Sequence, residues 1–138
     1  MFVNALVVWP DYIAYFNLVS GGPSNGHKYL LDSNLDWGQD LIALREYMDR
    51  EKIESVDLAY SGRVKPEMYG IRYKDLFGRP RQRHVAVSAN LLWGRMYFVN
   101  GTARWPQNKD TYAYLRPLKP KGVLGHTIYV YDLQGQTY

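Results

Sequence analysis

Residues 28–40, KYLLDSNLDWGQD, constrain the fold more than any other stretch of this chain. A short apolar run at 29–31 passes at once into a polar turn and then into the head of an amphipathic helix. That order reads as a buried strand feeding a helix. Asp36 fits the N-cap position, its carboxylate accepting the amide of Gln39 while the Gln39 side chain returns to the amide of Asp36. This is a capping box with Asp in place of Ser or Thr. Trp37, Leu41, Leu44 and Met48 then recur at helical spacing, which predicts one stripe packed on a sheet. Glu46 and Arg50 are spaced to pair on the outer face.

The rest of the chain is taken against that unit. Its 138 residues suffice for one domain with a real core. With 22% charged and 46% hydrophobic residues, it falls among folded globular proteins. The absence of cysteine excludes disulfides, thiolate metal sites and thiol nucleophiles, and leaves the redox compartment open. A net charge of +4 without a long Lys/Arg block argues against nucleic acid as the main partner. Arg79, Arg81 and Arg83 nevertheless form a local basic patch open to phosphate, anionic lipid or solvent, with single-stranded nucleic acid as a third-ranked partner.

No stretch reaches the roughly 18 to 20 continuous apolar residues that span a bilayer. The opening MFVNALVVWP is strongly apolar, lacks the basic start of a signal peptide, and is stopped by Pro10 and Asp11. Tyr12, Tyr15, Phe16 and Val19 follow at helical spacing, giving a greasy face for the core or for a membrane interface. The breaker cluster GGPSNG at 21–26 closes this piece. Residues 1–26 are therefore read as a juxtamembrane-like helical lead-in, and 27–138 as an α/β domain.

Within that domain, SVDLAYSG alternates Val56, Leu58 and Tyr60 against Asp57 and Ala59, predicting a strand with a turn at Ser61-Gly62 and Asp57 on a polar face. Pro66 and Gly70 bracket one helical turn. Residues 72–83 read as a basic loop, and HVAVSANLLW as a third strand with polar groups at its end. Residues 94–109 give no clear pattern. A short helix is expected at 111–115, and a final strand at 127–132 with Gly125 marking a bulge or turn. Asp132 is expected on a polar face there. The predicted fold is a single α/β domain, a mainly parallel sheet with packed helices and a C-terminal strand of unassigned direction.

DYIAYFNLVSGGPSNGHKYLLDSNLDWGQDL, together with YAYLRPLKPKGVLGHTIYVYDL near the far end, resembles the extracytoplasmic C-terminal domain of certain bacterial membrane glycosyltransferases. These are of the dolichyl-phosphate-mannose protein mannosyltransferase type, relatives of the lipid-A aminoarabinose transferases. The likeness covers 11–45, 84–94 and 111–133, with SNLDWGQDL its most specific part. It implies a multi-span parent that moves a sugar from a polyprenyl-phosphate carrier outside the cytoplasm. It also implies attachment to the outer face of the bacterial inner membrane through an N-terminal membrane region. In such enzymes the catalytic acidic residue lies in the membrane part, so no catalytic residue is carried over to this chain.

If the first three strands are parallel, residues 32–37, Ser61-Gly62 and 88–93 all lie at one carboxyl edge, where open α/β sheets bind ligands. Phosphate suits that edge poorly, because Asp36 and Asp40 already occupy the helix N-terminus and repel it. No GxGxxG or Walker pattern is present, so no cofactor is expected. A neutral sugar fits better, with Asp32, Asn34, Asp40, Ser88 and Asn90 meeting hydroxyls and Trp37 or Trp93 stacking on a sugar face. Two other readings stay open: the same groups tie the loop to its own backbone, or Asp32, Asn34 and Asp36 hold a divalent cation. The bidentate Glu and central Gly of a calcium loop are misplaced for the last, so no metal site is assigned. His27, His84 and His126 are widely separated, and Ser88 lacks a GxSxG setting, which disfavours hydrolase chemistry. A stand-alone binding module for a small polar ligand is the alternative to an accessory transferase domain.

Overall fold

The computed structural model describes residues 40–95, 99–102 and 108–134. The expected strand at 27–32, the reciprocal cap of Asp36 and Gln39, and the site residues Asp32, Asn34 and Trp37 lie outside these. Helix α1 is described over Leu41–Arg50, with Asp40 in the N-cap position but making no side-chain cap bond. Strand β1 follows at Val56–Ala59, then a 3-10 turn at Pro66–Tyr69 and β2 at Tyr73–Asp75. Strand β3 (His84–Ser88) runs directly into the short helix α2 (Ala89–Leu92). A second 3-10 turn at Ala113–Leu115 precedes β4 (Gly122–Leu124) and β5 (Ile128–Asp132).

The five strands form one open sheet in the order β2-β1-β3-β5-β4. β1 pairs in parallel with β2 and β3, whereas β5 is antiparallel to β3 and β4. The domain is thus mixed α/β, and the expectation of a mainly parallel sheet holds only for its β2-β1-β3 half. Residues 122–132 form a hairpin turned by Gly125 and His126, both at positive φ, so β4 and β5 oppose each other, and the hairpin joins the sheet through β5, which runs against β3.

Alternation along each strand feeds two cores. On one face Leu41, Leu44, Tyr47 and Met48 of α1 pack against Val56, Leu58, Tyr60, Ala86, Ile128 and Val130. The predicted helical stripe is therefore the packed one. On the other face Ala59, Val85, Val87 and Tyr131 meet Leu91, Leu92, Val99, Tyr112 and Leu115. Burial on both faces explains why β1 and β3 are apolar with little polar interruption.

Several local expectations change. Asp57 is not on a polar face: it is buried, and its carboxylate accepts the amides of Arg81 and Gln82 and the Gln82 side-chain amide. A buried carboxylate needs such donors. The basic stretch 72–83 contains β2, an edge strand of three residues too short to show a period. The strand predicted from residue 84 stops at Ser88, and the rest is α2. Arg50 pairs with Glu51 at 3.5 Å and lies over the Tyr47 ring at 5.2 Å, while Arg45–Asp49 supplies the i,i+4 pair at 2.6 Å. The single turn between Pro66 and Gly70 is present, closed by Gly70 at φ 70.

Candidate functional site

At the carboxyl ends of β1 and β3 the buried polar residues form a continuous rail. Among the described residues, six of the seven buried polar side chains sit there: Asp40, Ser61, Ser88, Asn90, Asn100 and Thr127, the seventh being Asp57. Each gap between neighbouring elements is bridged by one of them or by its backbone.

Between β2 and β1 the bridge is Asn100. Its Nδ2 donates to the Leu58 carbonyl at 2.6 Å and to the Asp75 carboxylate at 2.9 Å, and its Oδ1 accepts from the Tyr60 amide at 2.8 Å. Its φ of 52 lies in the left-handed region, which Asn tolerates better than most residues. Between β1 and β3, Ser88 Oγ accepts the Ser61 amide at 2.7 Å in place of capping α2. Between β3 and β5, the Ala89 amide donates to the Thr127 carbonyl at 2.7 Å. Finally, Thr127 Oγ1 donates to Asp40 Oδ2 at 2.5 Å, tying the head of α1 to the sheet. Asp40 is drawn in so far that a Cβ on Gly125 would overlap its carboxylate.

Three of the predicted ligand residues, Asp40, Ser88 and Asn90, are thus brought to one edge, but all are buried, with Asp40 at 3% exposure and the others at 1% or less. Asp40 and Ser88 bond to the protein itself, so the geometry gives them a framework role. Trp93 follows α2, is half-buried, and carries the Arg116 guanidinium 5.9 Å from its ring centre. Arg116 is fixed there by donating from Nε to the Leu92 carbonyl at 2.8 Å. Of the predicted set within the described residues, Trp93 alone keeps substantial surface. His84 lies at the amino edge and His126 in the β4–β5 turn, so the sheet separates them. Among the described residues no three His, Asp or Glu side chains are grouped to hold a metal ion. Nor is any helix there long and apolar enough to cross a membrane.

Asn100 and Thr127 carry much of the rail and were not singled out by the sequence, whereas Ser61 was placed at this edge by its turn. The one visible hint was the NG turn signal at 100–101 in an otherwise unreadable segment. Compared with family models, with curated proteins and with solved structures, the chain matches none.

Proposed function

We propose that this chain is an accessory extracytoplasmic domain of a polyprenyl-phosphate-sugar-dependent membrane glycosyltransferase. In this reading it is tethered at the outer face of the bacterial inner membrane and positions glycan or acceptor without itself being catalytic. One observation carries the reading beyond the sequence likeness. The three separate stretches that resemble such domains meet at one point, where Asp40 of the first bonds Thr127 of the third, and Thr127 bonds Ala89 of the second. These stretches supply the paired strands β3 and β5 and the helix packed on them, so the parts that resemble such domains make up the middle of the fold.

The convergence fixes the frame, and Trp93 supplies the surface beside it. A partly exposed indole offers an aromatic patch to a sugar, beside an Arg116 guanidinium held by Leu92, Lys109 and Asp110. The test is amide chemical-shift mapping of the isotopically labelled chain during titration with mannose, glucose and short oligosaccharides of each. Shifts confined to residues 92–95 and Arg116, and abolished by Trp93→Ala, are expected. If no sugar moves any of these amides, glycan positioning fails and the edge is framework only.

A further inference from the structure

The edge opposite the rail holds a cavity. Its volume is about 280 Å³, and it lies where the end of α1 meets the starts of β3 and β4 and the end of β5. Lys52, His84 and Lys121 line it, with Arg83, Asp132 and Tyr47. Its two carboxylates are already engaged. Asp132 accepts Nε and Nη2 of Arg83 at 2.8 and 2.6 Å, and Glu51 pairs with Arg50. Among the described residues, the side chains of Lys52, Lys121 and His84 have neither an ion pair nor a hydrogen bond.

Lys52 carries a second sign. The amide of Ile53 donates to the Met48 carbonyl at 2.8 Å and that of Lys52 to the Asp49 carbonyl at 3.3 Å, the bonding of a Schellman motif. The residue after the C-cap in that motif is left-handed and is usually glycine. Here it is Lys52, at φ 55. A lysine is held where glycine would be easier, and it lines the cavity. The same bonds occupy the Met48 and Asp49 carbonyls, which reduces the negative end of the helix as an obstacle to an anion.

We infer that this cavity binds a phosphate-type oxyanion, either free or on a phosphorylated ligand, between Lys52, Lys121 and His84. The donor set selects phosphate over carboxylate. The arginine fork that could grip either anion is committed to Asp132, which leaves lysine point charges, and these favour the more highly charged phosphate. Two lysines, one after α1 and one before β4, suit a tetrahedral anion. This inference stands independently of the glycosyltransferase reading.

The probe is inorganic phosphate, titrated calorimetrically into the full chain at ionic strength matched with chloride. Saturable binding at one site is expected, weakened about tenfold by Lys121→Gln and by Lys52→Gly, a loss of roughly 1.4 kcal/mol for each. Arg81→Gln, outside the cavity, should change affinity less than about twofold. A second arm uses co-sedimentation with phosphatidylcholine vesicles with or without phosphatidic acid. Pelleting that requires phosphatidic acid and is lost in Lys121→Gln assigns a lipid headgroup, whereas binding of free phosphate alone assigns a soluble phosphate compound. Phosphate heats no larger than those of chloride, or equal losses for Arg81→Gln and Lys121→Gln, would overturn the site.

Discussion

Thr127 Oγ1 donates to Asp40 Oδ2 at 2.5 Å across 87 residues of sequence, and both residues are buried. This bond joins the head of α1 to the turn that enters β5. It depends on Gly125, because any side chain there would occupy the space of the Asp40 carboxylate.

Replacing Thr127 by Val keeps the shape but removes that donor from a buried carboxylate. A loss of about 1 to 3 kcal/mol is expected from urea denaturation, with the denaturant slope unchanged. Gly125→Ala adds steric overlap and a strained φ of 50, so its loss should be larger. A Thr127→Val protein as stable as the parent would contradict the junction.

Asn100 makes three side-chain bonds at the ends of β1 and β2. Asn100→Asp retains the acceptor and tolerates the left-handed backbone, but it removes both donors and sets a carboxylate beside Asp75. Destabilisation by about 2 to 4 kcal/mol is expected. Hydrogen exchange should localise the effect, with the amides of Leu58, Tyr60 and Leu76 losing protection first.

How much of this was legible in the sequence follows the range of the interactions. The stripe Leu41, Leu44 and Met48 and the final strand were readable because helix and strand periods are local properties. The turn between Pro66 and Gly70 was readable because both residues act on their own backbone. Asn100 and Thr127 were not, since an Asn in a turn and a Thr before a strand look alike whether they meet solvent or a partner many residues away. Asp57 misled for a related reason. Alternation with apolar neighbours signals a solvated face, and only the later amides of Arg81 and Gln82 turn that face inward.

Acid should weaken the fold in two stages. Burial holds the His84 imidazole below its ordinary value, with Arg83 and Lys121 adding to the effect and Asp132 opposing it. A depressed histidine favours the neutral folded form, so its contribution is complete above the unfolded value near 6.5 and is lost as pH falls below it. Asp132 is held well below the carboxylate range, chiefly by the Arg83 guanidinium. Its contribution is present above its ordinary value of 3.8 and is lost on further acidification. Urea midpoints measured across this range should show both steps, and His84→Gln should remove the upper one alone.

Lys52 in the left-handed region predicts a separation of stability from binding. Lys52→Gly relieves the backbone while loosening the unfolded chain, so the variant should be unchanged or up to about 1 kcal/mol more stable. Thermal unfolding without phosphate measures this directly. A clear loss of stability would mean that the Lys52 side chain supports the fold and is not held there for a ligand.

We propose that the frame built around Asp40, Ala89 and Thr127 belongs to a domain carried by a membrane transferase. This proposal is tested most directly by fractionating the source cells with an antibody raised against this chain, before and after protease treatment of intact spheroplasts. The account predicts a polypeptide well above 16.1 kDa in the membrane pellet whose epitope is destroyed by external protease. A species of about that mass in the soluble fraction, protected until the cells are broken, would contradict it and favour a stand-alone binding module.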